Sequence, residues 1–424
     1  AWSRGNHPNS LLKNNGDGTF ADVTKAAGLL SFHPTQTAAW ADVNNDGFLD
    51  LFIGNESGKS QSHPCELYIN QKNGRFLEQS GNYNLSSIEG FVKGVAFGDI
   101  NNDNWPDLYL SVMGGANLLF RNDFGKFKDI SKTAGVQGPK FSFPTWFWDV
   151  NNDGFIDIFV ASYDTSNLKN LAGDYAKEIQ GDEVLTNKSR LFMNNGDETF
   201  SDQSKKYNID KSLYAMGSNF GDLDNDGWLD FYIGTGSPEF TSVIPNRMFR
   251  NSEGKSFEEV TSAGGFGHIQ KGHGVGFADL DNDGDQDIYT VLGGAYEGDN
   301  YPNICFENPI SKNNWIILKL EGVESNRSAI GTQLKLDLQN GRSIYYSINT
   351  GGSFGANSLQ AEIGIGSSKL IDTLTIRWPN SKAQIFKRIE GNKKYKLVEG
   401  ENKLVEEPYQ KIQLKGREIM QHHN

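Results

Sequence analysis

Sulfur and long apolar runs are what this chain has least of. Two cysteines and five methionines among 424 residues exclude a small disulfide-built scaffold. No stretch of 18 apolar residues occurs, which excludes a helical membrane span. Lys and Arg are scattered without an aromatic-basic stripe, so no nucleic-acid footprint is present. No nucleophile elbow, Ser/His/Asp signature or transition-metal His/Cys spacing stands out. Gly351-Gly352-Ser353-Phe354-Gly355 is glycine-rich, but its context is a β-hairpin and not a strand-to-helix turn, so no phosphate role is expected. A net charge of −13 on its face suggests an acidic soluble surface or a basic partner.

What is abundant is Asp at fixed spacing. Five nine-residue stretches begin at Asp42, Asp99, Asp149, Asp222 and Asp279, each with an oxygen-bearing side chain at positions one, three, five and nine. The ligand sets are Asp42, Asn44, Asp46 and Asp50; Asp99, Asn101, Asp103 and Asp107; Asp149, Asn151, Asp153 and Asp157; Asp222, Asp224, Asp226 and Asp230; and Asp279, Asp281, Asp283 and Asp287. Alternate residues of a tight loop point inward, and Ca²⁺ takes six to eight oxygens from such a flexible array. The sixth position is Gly47, Gly154, Gly227 or Gly284, with Asn104 the exception. A loop turning around an ion needs φ > 0 there, which Gly adopts at least cost and Asn next. The sets hold 17 carboxylates, and five Ca²⁺ would bring −13 to −3. The acidity reads mostly as a demand for up to five structural calcium ions.

These loops are not EF-hands, which need a bidentate Glu at position twelve. That position is Ile53, Leu110, Val160, Ile233 or Thr290. An aromatic residue precedes each first Asp by two, and an apolar, strand-forming run follows each loop. A second pattern recurs behind it, as in Leu67-Tyr68-Ile69-Asn70 and Leu119-Phe120-Arg121-Asn122, and also opens the chain as Leu11-Leu12-Lys13-Asn14. First-Asp spacings of 57, 50, 73 and 57 suit four-stranded propeller blades. The 73-residue interval carries an insertion near Tyr163 to Arg190, expected to be a solvated surface loop, with a lid or binding loop as the alternative. Cys65 and Cys305 fall in equivalent hairpins of non-adjacent repeats, beyond disulfide reach, and are expected to be buried free thiols.

With those motifs in place, the repeats resemble the FG-GAP (VCBS) units of integrin-type propellers. NNGDGTFADVTKAAGL and WADVNNDGFLDLFIGN are similar to the cartilage acidic protein family, and Asn314-Trp315, Ile363-Gly364-Ile365-Gly366 and Arg377-Trp378-Pro379 resemble its ASPIC/UnbV module. Two departures are Asn104-Trp105-Pro106 in the second loop and Glu362 ahead of Ile363. The expected fold is all-β: a calcium-binding β-propeller of six or seven blades over residues 1–311, a β-rich module over 312–400 that packs on the ring or completes its N-terminal blade, and a tail over 401–424. Exposed Asp loops of modest affinity suit millimolar calcium, so an extracytoplasmic or secreted location is expected for a chain read as a mature form.

Two functions remain open at this point. One is a calcium-stabilised module that binds or adheres to a protein or glycan partner. The other, implied by the resemblance, is a calcium-containing propeller enzyme of a biosynthetic pathway, forming carbon-carbon bonds or cyclising a small-molecule substrate in the channel. Residues early in the strand before each loop would ring the channel mouth: Gln36, Lys93, Phe143, Met216 and His273. Lys93 and His273, with Trp146 beside them, are the catalytic candidates. A deep pocket joining these three would favour the enzyme; a plugged channel would favour the binder.

Overall fold

The computed structural model describes residues 7–414 except 59–60, 167, 238–242, 294–300, 310–311 and 381. The junction expected at 311/312 and the last ten tail residues therefore lie outside the described residues. Five four-stranded sheets follow one another along the chain. The first comprises Thr35–Ala41, Asp50–Asn55, Glu66–Asn70 and Phe76–Glu78; the second Val92–Gly98, Asp107–Val112, Leu118–Asn122 and Phe127–Asp129. The third comprises Ser142–Trp148, Asp157–Ser162, Arg190–Asn194 and Phe200–Asp202, and the fourth Ala215–Gly221, Asp230–Thr235, Arg247–Asn251 and Phe257–Glu259. In every sheet an Asp-rich loop joins the first strand to the second. The first strands lie against one another in order, from the first sheet to the fifth, so they line a common axis. The second strands of the first four sheets are buried along their whole length because neighbouring sheets cover both faces, which is why they read as unbroken apolar runs.

The approach between sheets is close enough to dictate sequence. A Cβ on Gly217 would stand 1.1 Å from the carbonyl oxygen of His273 on the neighbouring sheet. Larger gaps are filled by aromatics: Trp146, Trp148, Phe220, Phe231, Phe249 and Phe257 form one cluster between the third and fourth sheets.

The fifth sheet holds Gly272–Ala278, Asp287–Leu292 and Ile304–Phe306. Its fourth strand, Gly355–Asn357, comes from the C-terminal part and pairs in parallel with the first strand, Val275 opposite Gly355. The remaining C-terminal strands make two sheets of their own. One orders Ala361–Gly366, Asn314–Glu321, Lys393–Val398 and Val405–Glu407; the other Ser343–Ser347, Gln333–Leu338, Leu370–Arg377 and Gln384–Glu390. Both face a shared core that includes Leu334, Leu336, Ile363, Leu374 and fully buried Trp378.

Of the two arrangements expected for the C-terminal module, packing on the ring or completing its N-terminal blade, the completion is not seen among the described residues. Leu12–Asn14 and Phe20–Asp22 form a two-stranded sheet that leans on the first sheet through Leu11, Ala27 and Leu29. The C-terminal strands bury their alternate residues in their own core and cannot be lent; the strand that does pair with the repeats, Gly355–Asn357, joins the fifth sheet. The insertion also differs from expectation. It contains a helix, Leu171–Gln180, whose Leu171 packs with Tyr214 and Ile244. Tyr214 donates to Asp174 at 2.7 Å, and Glu178 pairs with buried Arg247 at 2.6 Å. Cys65 is a buried free thiol and Cys305 an exposed one, because the short strand around Cys305 is at the edge of its sheet and has no outer neighbour among the described residues.

Candidate metal centre and the axial channel

Each Asp-rich loop is held by its own ligand side chains. In the first, Asp42 accepts from the N–H groups of Asp46 and Gly47 at 2.9 and 2.7 Å, and Asp46 accepts from Phe48. The other four repeat this pattern, as with Asp103 and Asn104 on Asp99, or Asp283 and Gly284 on Asp279. Asn104 has φ of 68°, in the same left-handed region as the glycines that replace it elsewhere, so the second loop keeps its turn. In the fourth loop Asp222, Asp224 and Asp226 bring carboxylate oxygens within 4.8 Å of one another, and in the fifth Asp279, Asp281 and Asp283 do the same. The other three loops carry Asn at the third position and so present two carboxylates and an amide oxygen there. An all-oxygen donor set is what a hard cation takes.

Without a cation this geometry is electrostatically costly. Burial pushes the carboxyls of Asp50 and Asp149 up to about 7 and those of Asp99 and Asp287 up to about 6, with neighbouring loop carboxylates adding to the rise. Asp222 and Asp230 are raised further by burial and by the same neighbours. The ninth-position carboxylates are pinned to backbone: Asp50 accepts from Val43 and Asn70, Asp107 from Ile100 and Asn122, Asp157 from Val150 and Asn194.

Two networks were not anticipated. The fourth-position Asn of each of the first four loops donates to the sixth-position carbonyl of the next: Asn45 to Asn104, Asn102 to Gly154, Asn152 to Gly227 and Asn225 to Gly284, at 2.8–3.1 Å. The Asn that ends the third strand of the second, third and fourth sheets reaches back to the preceding loop: Asn122 to Val43 O, Asn194 to Ile100 O and Asn251 to Val150 O. Both were visible as an Asn recurring at a non-ligand position with no local reason for it. The Asn122→Ala variant should lose about 2 kcal/mol of stability, since the carbonyls of Val43 and Pro106 and the N–H of Gly125 lose their partner. Urea denaturation measures it, with Asn73→Ala, on an exposed turn, staying within about 0.5 kcal/mol.

The C-terminal module sits on these loops. Asn380 donates to Asp42 at 3.4 Å, Gln333 to Asp99 at 3.3 Å, the Gly364 N–H to Asp222 at 3.0 Å and Tyr409 to Asp279 at 2.8 Å. The sixth-position residues are also its seat. A Cβ would meet Glu324 O at Gly47, Tyr345 at Gly154, Arg342 at Gly227 and Trp315 at Gly284. Glycine is required here for two reasons, turn conformation and close packing, and sequence spacing reveals only the first. Over the fifth loop the tail adds Lys411, whose ammonium lies 3.0 Å from Asp281 and 2.6 Å from Asp283. Glu362, the departure from the family pattern, accepts from the Asp279 N–H and the Gln286 amide.

The axis is plugged. Ser353 exchanges hydrogen bonds with Thr145 at 3.0 and 3.1 Å and its carbonyl accepts from Thr37. The Phe354 ring lies 4.8 Å from that of Phe143, tilted by 38°, and its backbone bridges Ser218, while Asn219 donates to Ala356 O and Asn357. The glycines of this segment let it thread between strands: a Cβ on Gly352 would stand 2.8 Å from Ser218 O.

The three catalytic candidates lie on three different sheets, the second, third and fifth. Lys93 is buried, pairs with Glu56, donates to Gln36 at 3.2 Å and lies 4.2 Å from the Phe91 ring; burial holds its ammonium below the ordinary lysine range. Trp146 is 1% exposed, 4.3 Å from Phe159 and 5.6 Å from Phe220. His273 is half-buried on the fifth sheet. A cavity of about 290 Å³ does exist, but none of the three lines it.

The comparisons agree with this division. The FG-GAP-like repeat family matches residues 1–53, 42–110 and 149–233, and the ASPIC and UnbV family matches residues 322–404. This chain is an FG-GAP-repeat protein with an ASPIC/UnbV domain. Cartilage acidic protein 1 of Mus musculus is 25% identical over 246 residues, covering 55% of this chain and 33% of that protein. The Xenopus tropicalis protein of the same name is 23% identical over 283 residues, 60% of this chain and 40% of that one. The matches thus span a third to two fifths of the relatives' length. Among solved structures, the exotype rhamnogalacturonan lyase YesX aligns over 89% of this chain and 60% of its own at 11% identity with a TM-score of 0.36. The plug is contributed by the ASPIC/UnbV side of the chain and the ligand loops by the FG-GAP side, so the candidate metal centres lie at the seam between them.

Proposed function

We propose that this protein is a calcium-stabilised, extracytoplasmic β-propeller that binds a protein or glycan partner. The five sheets are its blades, the N-terminal hairpin is a sixth, incomplete one, and Ca²⁺ fills the Asp loops through the first, third, fifth and ninth positions. Bound calcium supplies positive charge that neutralises clustered carboxylates and locks the loop conformation on which the C-terminal domain rests. The observation that carries the reading is the plug: Ser353 and Phe354 occupy the axis where a substrate would enter, and Lys93 and Trp146 are spent on an ion pair and on packing. Kinship to cartilage acidic protein 1 supports the location and the binding role.

Two measurements test it. Titration calorimetry of the metal-free chain should count at least two Ca²⁺, for the loops with three converging carboxylates. Retention on immobilised extracellular-matrix proteins and glycans should be seen for at least one of them in calcium and be lost in excess chelator. Retention that ignores calcium, or none across the panel, counts against the proposal.

A further inference from the structure

Two histidines meet at the end of the first sheet opposite its Asp loop. His33 stands just before Thr35–Ala41 and His63 just before Glu66–Asn70. Register puts both at one end, since Thr35 pairs with Asn55 and Glu66 with Ile53. Asp42 follows the other end of Thr35–Ala41, so about 23 Å of strand separates the pair from the first Asp loop. The two Nδ1 atoms lie 2.9 Å apart, with the rings inclined at 68°.

Both backbones are fixed. The His33 N–H donates to Ser31 Oγ at 3.5 Å and its carbonyl accepts from Thr35 Oγ1 at 3.2 Å. The His63 N–H donates to Ser57 Oγ at 2.8 Å and its carbonyl accepts from the same hydroxyl at 2.9 Å. A proline follows each, Pro34 and Pro64, which keeps the histidine before it extended. Two separate loops thus present their imidazoles to one another.

In a neutral pair only one Nδ1 can donate, so a single proton holds the contact. A divalent metal takes the place of that proton once the donor ring carries it on Nε2 instead, which frees two Nδ1 lone pairs and leaves the proton count unchanged. With metal–nitrogen bonds of about 2.0–2.1 Å, donors at the observed separation subtend roughly 90° at the ion, whereas a tetrahedral angle needs about 3.3 Å between them. That is the cis edge of a tetragonal site, which suits Cu²⁺ or Ni²⁺, and Cu²⁺ binds tightest of its series. No third His, Cys, Asp or Glu ligand atom converges with the pair among the described residues, and both histidines are half-buried, so water completes the coordination. Cys65, two residues beyond His63, is packed in the core between the first two sheets. Negative charge nearby comes from Glu66, whose carboxylate accepts from Ser31, Asn55 and Tyr68, all neutral donors.

We propose that His33 and His63 form a two-nitrogen site for a tetragonal transition-metal ion, best matched by Cu²⁺, separate in place and in chemistry from the all-oxygen Asp loops. It is independent of the partner-binding role. The probe is Cu²⁺ alone, added to the full chain in millimolar calcium so that the Asp loops are filled. His422 and His423 are replaced by alanine throughout, because adjacent histidines offer a competing pair. Calorimetry should count one equivalent of Cu²⁺, and electron paramagnetic resonance should show coupling to two imidazole nitrogens. His33→Ala and His63→Ala should each weaken binding at least about tenfold, since losing even an outer-shell partner of a ligand costs that much. Should one variant fail to fold, the other carries the comparison, and the nitrogen count needs neither. Absence of a saturable equivalent, coupling to fewer than two imidazole nitrogens, or undiminished binding by a folded variant would overturn the assignment.

Discussion

Stripped of divalent ions by excess chelator, the full chain is expected to melt roughly 10 °C lower than in millimolar calcium. A site held at a hundredfold its dissociation constant stabilises the folded state by about 2.7 kcal/mol. Two such sites, at the fourth and fifth loops, supply about 5 kcal/mol, and a domain of 150–250 residues moves about 2–4 °C per kcal/mol. The pH dependence has an unusual sign. An Asp that titrates near 3.9 when unfolded but near 6 or 7 when folded, as Asp99, Asp149 and Asp50 do, is held protonated by the fold. Above about pH 7 the metal-free protein bears the full cost of their burial as charges; as pH falls from 7 to 4 the folded state takes up protons the unfolded state does not, and stability rises. The calcium-loaded protein should do the reverse, because protons displace its ions. Scanning calorimetry at pH 5 and pH 8, with and without calcium, reads both signs. An unchanged melt on chelation, or the same pH slope in both states, would sink the idea.

Gly284→Ala is expected to cost on the order of 4 kcal/mol, the largest effect of any single-methyl addition in the loops. The residue has φ of 99°, and its Cβ would stand 1.9 Å from Trp315 Cε2 and 2.0 Å from Nε1. Strained backbone contributes about 1–3 kcal/mol and overpacking about 1–3 kcal/mol. Gly74→Ala, at φ 81° with nothing within 4 Å of its Cβ, isolates the backbone share. The damage should appear first as loosening of the C-terminal domain, read as proteolytic cleavage near residues 310–320. A Trp315→Ala substitution removes the obstructing ring, so the double variant should be more stable than the two single losses predict. Strict additivity would show that the two groups do not meet.

Both predictions concern a seam that is only half legible in the sequence. The five loops and the strands around them follow from short-range repetition. Asp at positions one, three, five and nine, an aromatic two residues earlier and the Leu-Tyr-Ile-Asn type hairpin recur in register. The tail strands Gln333–Leu338 and Leu370–Arg377 are legible in the same local way. The alternation of apolar residues there suffices, since one face must reach the core. By contrast, the stretch around Tyr163 to Arg190 looked like solvated loop because its apolar residues are few; its helix is held by Asp174 and Glu178 against Tyr214 and Arg247, partners no local pattern announces.

The sequence by itself determined the repeat, the oxygen-bearing positions of each loop, the requirement for φ > 0 at the sixth residue and the all-β class, because each is a property of nine to sixty consecutive residues. Only the tertiary structure decided that the N-terminal hairpin stays two-stranded, that Gly351 to Gly355 fills the axis, and that the C-terminal domain rests on the loop glycines. Contacts such as Ser353 with Thr145 or Trp315 beside Gly284 join residues that share no spacing rule. Their existence depends on which surfaces remain uncovered once the local units have formed, and that is a question of long-range packing.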